Sequence, residues 1–150
     1  MYIQMPKSRS MRSKKNRTIS RRSSSSFDKQ ITVYFLEMLM MVKLYHWKTH
    51  SFATHKATDE LYDSLNEHID KFIEVLLGKT GTRINLTQKK SISLVDLNSQ
   101  ASLKARIDQF KKYLVSLNIN KAVELDTDLL NIRDEILGDL NKFLYLLTFK

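Results

Sequence analysis

Residues that interrupt helices are nearly absent from this 150-residue chain. Proline occurs once, at Pro6, and glycine three times, at Gly78, Gly81 and Gly138. A turn-rich β fold needs more of both residues, whereas long helices need few. The composition therefore predicts an all-α protein, and the length is that of a single domain.

The strongest periodic pattern lies between His55 and Gly78. Its large apolar residues recur at steps of three and four, as on the buried face of an amphipathic helix. They are Leu61, Leu65, Ile69, Phe72 and Leu76, flanked by Tyr62, Ile73 and Leu77. At about 100° per residue, four acids fall within about 60° of one another on the opposite side.

These acids are Asp63, Glu67, Asp70 and Glu74, named the carboxylate ridge from here on. An acidic face opposite an apolar stripe is most often a solvated surface. Whether it is a solvated surface or a binding site, the ridge is predicted to point away from the core of its own subunit.

The first helix is predicted over residues 28–48. Residues 31–45 carry only Glu37 and Lys43 as charges, so this helix is apolar on nearly all sides. Fifteen residues are too few to span a bilayer. We therefore expect no membrane contact, and burial against a neighbouring subunit as well as against the helix's own bundle.

The remaining boundaries follow from capping residues and periodicity. Ser51 or Thr54 can cap the second helix, and Gly78 is expected in the left-handed conformation at its end. A third helix is predicted over residues 99–117 and, after a break at residues 118–120, a fourth whose apolar stripe extends to Leu147, with Thr127 as a candidate start.

Residues 79–98 show no sustained helical period. A connection of about twenty residues is long for a bundle, but a four-helix bundle of ferritin type needs one long crossover between its second and third helices. We expect that crossover here, with a short helix around residues 94–97.

Residues 1–26 form a separate region in composition, and residues 27–150 form the predicted bundle. This N-terminal region contains no acid and carries eight of the chain's 25 basic residues, so it accounts for most of the formal net charge of +9. The eight are Lys7, Arg9, Arg12, Lys14, Lys15, Arg17, Arg21 and Arg22. We predict a flexible arm that binds nucleic-acid phosphates. A solubilising tail, an arm docked on an acidic protein surface and a transit peptide are the alternatives.

The chain has no cysteine, which excludes disulfides, thiolate-held zinc, iron–sulfur clusters and a cysteine nucleophile. Any metal must bind to His, Asp and Glu. We expect an intracellular protein of the cytoplasm or nucleoid, with a virion as the alternative location.

His46 and Trp47 end the first predicted helix, His55 opens the second, and Asp70 and Glu74 follow on that helix. This pattern resembles the ferroxidase ligands of the Dps family, the mini-ferritins. The family builds its iron site between subunits. The resemblance thus implies that His46 and His55 of one subunit and Asp70 and Glu74 of a partner are the metal ligands.

The resemblance also implies oxidation of Fe(II) by peroxide or oxygen, a ferric mineral inside a twelve-subunit shell and protection of DNA, which many Dps proteins hold with a basic tail. Asp59, one turn after His55, is our candidate for orienting an imidazole, and Trp47 is expected beside the metal ligands.

The turn between the two histidines is a few residues shorter than in most Dps proteins. With Thr49, Ser51, Phe52, Ala53 and His55 it also looks like a group of uncharacterised Dps-like proteins of viruses and phages. The end of the fourth helix is similar to the Dps terminal helix, with Tyr145 where that family usually has tryptophan.

No histidine has a glutamate three residues before it, as a di-iron centre within one bundle requires. His50 and His68 lack a matching ligand spacing and are interpreted as structural. Two alternatives to the ferroxidase stay open: a catalytically silent ferritin-like protein with a structural or nucleic-acid-packaging role, and a helical adaptor with neither property.

Overall fold

The computed structural model describes the backbone of residues 13–117 and 126–149, and the side chains from Phe27 onward within those ranges. It contains α1 (Ser13–Lys48), α2 (Phe52–Thr80), α3 (Gln100–Ser116) and α4 (Thr127–Leu146), with no strand in the described residues. The prediction of an all-α protein with four helices is confirmed.

Helix α1 begins at Ser13, well before the predicted start at residue 28. Residues 13–26 contain neither proline nor glycine, so no residue in them interrupts a helix that is packed from Phe27 onward. Of the predicted basic arm, residues 13–26 lie in α1, and residues 1–12 lie outside the described residues, as does the predicted break at 118–120.

Only the N-terminal end of α2 is the one predicted from the sequence. Ser51 caps the helix, and its Oγ accepts a hydrogen bond from the Thr54 N–H at 3.2 Å. At the other end the left-handed residue is Gly81, with φ 65° and ψ 22°, and not Gly78, which stays helical. A glycine inside an exposed helix costs only about 1 kcal/mol, so α2 continues past it.

Ion pairs fix the direction of α4 relative to α2. Lys142 pairs with Glu60 near the start of α2, and Asp128 pairs with Lys79 near its end. The two helices are therefore antiparallel. Helices α1 and α2 are also antiparallel, because only residues 49–51 connect them.

Helix α3 is antiparallel to α4 as well. The Gln100 side chain donates to the Leu147 carbonyl at one end of the pair, and the buried Arg133 guanidinium donates to the Leu114 carbonyl near the other. Consequently α2 and α3 run in the same direction, and the connection between them, residues 81–99, returns to the end where α1 finishes. There Lys48 Nζ donates to Asp96 at 2.7 Å and Asn98 at 2.6 Å. Residues 94–97 are not helical.

The core contains one fully buried phenylalanine from each helix: Phe35, Phe72, Phe110 and Phe143. The rings of Phe35 and Phe72 meet edge to face with centroids 5.3 Å apart. All five residues of the apolar stripe predicted on α2 are buried. None of the helices in the described ranges has the length and apolar character needed to cross a bilayer.

Candidate metal centre

The short turn between α1 and α2 brings His46 and His55 face to face. Thr49 N–H donates to the Tyr45 carbonyl as α1 ends, and His55 N–H donates to the Ser51 carbonyl as α2 begins. The two imidazole rings stack with centroids 3.9 Å apart and planes 23° apart. His46 is buried and His55 is half-buried. We call these residues the histidine pair.

The histidine pair is held by reciprocal hydrogen bonds. Nδ1 of His46 lies 3.1 Å from the His55 carbonyl oxygen, and Nδ1 of His55 lies 3.1 Å from the His46 carbonyl oxygen. A carbonyl oxygen only accepts, so Nδ1 carries the proton in both rings. In the neutral rings Nε2 then has a free lone pair, and no hydrogen bond engages either Nε2 within the described residues. Histidines that bind metals are commonly held in this way.

Thr58 supports the histidine pair from within α2. Its side chain is fully buried, and its Oγ1 donates towards the carbonyls of Thr54 and His55. The same oxygen lies 3.2 Å from Nδ1 of His46 and accepts from it. Thr58 thus ties the ring from α1 to the backbone of α2.

Asp59 and Lys43 lie beside the buried ring of the pair. Asp59 Oδ1 is 3.8 Å from Nε2 of His46, which is too long for a hydrogen bond. Asp59 therefore forms no hydrogen bond with His46, whose Nδ1 is held by a backbone carbonyl, and its role in orienting an imidazole stays a prediction. Lys43 Nζ lies 4.0 Å from the same Asp59 oxygen and 4.6 Å from the Tyr62 ring centroid.

The carboxylate ridge is exposed over its whole length, as the helical period predicts. Within the described residues none of its four side chains forms a salt bridge, whereas the other two acids of α2 do. Asp59 pairs with Lys43, and Glu60 pairs with Lys142. The ridge is therefore a row of negative charge without internal compensation.

The histidine pair and the predicted acidic ligands do not meet within one chain. Asp70 lies 15 residues after His55 on the same helix, so the two are about 22 Å apart along its axis, and Glu74 is farther still. No three histidine or acidic side chains in the described part of the chain are close enough together to hold a metal ion.

Exposed apolar side chains surround the histidine pair. Trp47 is 69% exposed and Phe52 is 75% exposed. Leu36, Met40 and Leu44 fall within about 80° of Trp47 on α1, are only half-buried, and are absent from the core. The outer face of α1 is therefore apolar in the isolated chain.

The two remaining histidines lie away from the pair. His68 links α2 to α4, with Nδ1 2.6 Å from Asp139 Oδ2 and Nε2 3.9 Å from Glu135 Oε2, consistent with a structural role. His50 is exposed in the turn after α1.

Sequence reasoning missed Lys43 and Thr58 as members of this site. Lys43 is three residues before His46, a spacing that places both on one face of α1, and this signal could have identified it. Thr58 is three residues after His55, but nothing in the sequence distinguishes it from other buried threonines.

The fold and the site thus define a class of protein. It is an all-helical protein with a fixed histidine pair and an outward row of carboxylates. Comparison with protein families identifies the group within that class. The chain belongs to a family of unknown function, DUF5856, whose model matches residues 46–147. The matched range includes all four histidines and the whole carboxylate ridge. No curated protein matches the chain, and no solved structure matches it.

Proposed function

We propose that this protein is a Dps-like ferroxidase and iron-storage protein whose iron site forms between two subunits. His46 and His55 of one subunit and Asp70 and Glu74 of the partner subunit bind Fe(II). The observation that carries the proposal is the histidine pair, whose Nδ1 atoms are fixed by carbonyls while both Nε2 atoms lack hydrogen bonds within the described residues.

The course of the chain supports a ferritin-like bundle. Helices α2 and α3 are parallel, and a single long connection, residues 81–99, joins them. Bundles of the ferritin type have one such crossover, whereas simple up-and-down bundles have only short loops. The direction of the helices is therefore the one expected for a mini-ferritin.

A symmetric dimer would bring the two halves of the site together. In a twofold interface, each contact occurs twice with the roles exchanged. If α2 packs antiparallel to α2 of the partner subunit with His55 opposite Asp70, the axis passes midway, between Tyr62 and Asp63. The apolar outer face of α1 and the exposed Trp47 and Phe52 then supply surface for the same interface.

In this mechanism iron is the substrate and the protein supplies ligands of mixed type. The Nε2 atoms donate their lone pairs, and the carboxylates of the partner subunit neutralise the cation. Each Fe(II) gives up one electron, so two Fe(II) reduce one hydrogen peroxide, which takes up two protons and forms two waters. The ferric product accumulates as mineral, and the basic N-terminal segment binds the nucleic acid that this removal of iron and peroxide protects.

The first test is anaerobic titration of the protein with Fe(II), followed by peroxide and measurement of ferric absorbance. Asp70→Asn should reduce the rate by about 100-fold or more, because a ligand matters at least as much as the groups that support one. Asp63→Asn is the matched control: it removes the same charge from the same ridge, about 10 Å along the helix, and should keep the activity. Equal loss in both variants would contradict the proposed ligand set.

A mixing experiment tests whether the site lies between subunits. His55→Ala and Asp70→Asn subunits are each inactive alone. When they are refolded together, half of the dimers are mixed and one of the two sites in each has all its ligands, so about a quarter of the wild-type activity should return. Mixtures that stay inactive would disprove the shared site, because His55 and Asp70 are too far apart within one subunit to bind the same ion.

A second candidate function is a catalytically silent bundle with a structural or nucleic-acid-packaging role. The observation that favours it is the burial of His46, whose reciprocal bonds with His55 would stabilise a short interhelical turn without any metal. In that case Fe(II) would be oxidised no faster than in buffer, while nucleic-acid binding would persist in His55→Ala.

A further inference from the structure

A cavity of about 500 Å³ lies beside α1, on the N-terminal side of Trp47. Its walls come from the middle of α1, the connection between α2 and α3, and Tyr113 of α3. The α1 residues that line it, from Lys29 to Glu37, lie about 14 to 25 Å along the helix from His46. Within the described residues the lining also includes no residue of α2 and none of the proposed iron ligands, so the cavity is separate from the proposed iron site.

One wall of the cavity is aromatic. Tyr34 of α1 and Tyr113 of α3 lie with their ring centroids 4.0 Å apart, and Tyr34 also meets Phe110 edge to face. Burial raises the pKa of Tyr113 to about 12 and also raises the pKa of Tyr34. Both phenols are thus protonated at neutral pH and can donate hydrogen bonds.

The opposite wall is polar and ordered. The Lys89 N–H donates to the Leu86 carbonyl at 2.8 Å, which closes a tight turn. Asn85 Oδ1 accepts from the backbone and the hydroxyl of Thr87, so the Asn85 amide is held with its N–H groups available. Lys89 on this turn and Lys29 on α1 are both exposed cations at the rim.

We propose that this cavity binds a nucleotide, with the base against the two tyrosines and the phosphate between Lys29 and Lys89. Bases stack on aromatic side chains, and lysines bind phosphate as point charges. Glu37, the one acid in the lining, accepts from an amino group of the base. The volume is within the range of pockets that enclose small molecules.

A nucleotide fits this combination better than a simple anion or an apolar ligand. A free phosphate would make no use of the tyrosine wall, and an apolar molecule would make no use of the two lysines or of the Asn85 amide. A free nucleotide and the end of a single strand both present a base and a phosphate, so both are included in the test.

The experiment is calorimetric titration of the full-length, iron-free protein with AMP, with adenosine, with ribose 5-phosphate and with a short single-stranded oligoadenylate. AMP should bind once per chain with a Kd of about 10 µM to 1 mM, and both fragments should bind at least about tenfold more weakly. Tighter binding of the oligoadenylate than of AMP identifies the strand as the source of the ligand if Val33→Phe removes that extra affinity, because binding to the basic N-terminal segment would persist in this variant. Tighter binding of AMP identifies the free nucleotide.

Two neighbouring lysines provide a matched pair of variants. Lys89 lines the cavity and Lys90, the next residue, does not, although both are exposed. Lys89→Ala should weaken AMP binding about tenfold, and Lys90→Ala about twofold at most. Val33→Phe, which fills the cavity from a half-buried position, should abolish binding.

Three results would overturn the proposal: no binding of AMP at millimolar concentration, equal effects of Lys89→Ala and Lys90→Ala, or ribose 5-phosphate binding as tightly as AMP. Because no iron is present in these titrations, their outcome is independent of the ferroxidase tests.

Discussion

Helix α2 takes part in two histidine contacts that differ in the partner of Nδ1. In the histidine pair, Nδ1 of His46 and of His55 donates to a backbone carbonyl. Farther along α2, Nδ1 of His68 donates to the Asp139 carboxylate at 2.6 Å, and Glu135 lies 3.9 Å from its Nε2. Both contacts join two helices.

The two contacts differ in the surroundings of the second ring nitrogen, Nε2, once Nδ1 has formed its hydrogen bond. In the histidine pair a neutral carbonyl fixes the tautomer and leaves Nε2 without a hydrogen bond, and the one nearby acid in the described part of the chain is Asp59, 3.8 Å from Nε2 of His46. Two carboxylates instead surround His68 with negative charge, and Lys71, 3.1 Å from Glu135, completes the cluster. The first environment suits a ligand for an external cation, and the second suits a contact between α2 and α4.

The largest expected effect separates the two sites by function. His55→Ala should slow Fe(II) oxidation by about 100-fold or more, because the site loses a ligand. The backbone carbonyl of residue 55, which holds Nδ1 of His46, is kept in this variant. His68→Ala should oxidise iron at the wild-type rate. Stopped-flow ferric absorbance after addition of peroxide measures both.

The two variants are matched in chemistry, since each removes one imidazole from α2. Circular dichroism should show the same helix content in both before rates are compared. A slow His68→Ala together with an active His55→Ala would reverse the assignment of roles.

The next largest effect concerns stability, and it is expected at the His68 contact instead of at the histidine pair. Asp139→Asn removes a carboxylate that is 18% exposed and bonded to His68. It should lower the free energy of unfolding by about 1 to 2 kcal/mol, as expected for a hydrogen bond to a partly buried charged group. Urea unfolding at neutral pH measures the loss.

Asp108→Asn is the control for Asp139→Asn, because Asp108 is exposed and, within the described residues, pairs only with Lys111 of its own helix. Its effect should be within about 0.5 kcal/mol. Equal stability of the two variants would show that the contact between His68 and Asp139 does not hold α4 against α2.

A smaller effect is expected from the support of the histidine pair. Thr58→Val keeps the shape of the side chain but removes the hydroxyl that accepts from His46 Nδ1. Because the His55 carbonyl still holds that nitrogen, iron oxidation should fall only about threefold, a loss typical of one weak hydrogen bond. Thr58→Ser keeps the hydroxyl and should behave as wild type, so a defect in both variants would point to packing instead.

The parts of this molecule that depend on helical period could be predicted from the sequence. The exposure of the carboxylate ridge and the burial of the α2 stripe follow from angular spacing alone, and Ser51 has the chemistry of a cap. The turn between His46 and His55 has no period. Its backbone path decides that the rings stack and that carbonyls, not Asp59, bind their Nδ1 atoms.

The end of α2 and the start of α1 also could not be predicted from the sequence. Gly78 and Gly81 are equally able to adopt a left-handed conformation, and the one that ends α2 is selected by how far the helix continues beside α4. At the N-terminus, composition predicts a solvated arm up to residue 26, yet α1 begins at Ser13. Charge and serine content lower helix propensity only slightly per residue, whereas proline and glycine, which stop helices, are absent there.

The smallest effect is expected at an exposed ion pair, which joins the same two helices as the His68 contact but lies at their far end. Lys79 Nζ lies 2.8 Å from both Asp126 and Asp128, and its hydrogen bond lowers the pKa of the Asp128 carboxyl below its ordinary value of 3.8. A carboxyl whose pKa is lowered by folding stabilises the protein above the unfolded-state pKa, and this contribution is lost as pH falls through the folded-state pKa. Urea unfolding from pH 5 to about 2 should therefore show a shallower pH dependence for Asp128→Asn than for wild type. Parallel curves would mean that solvent screens this pair completely, and the partly buried Asp139 would then be the acid that holds α2 and α4 together.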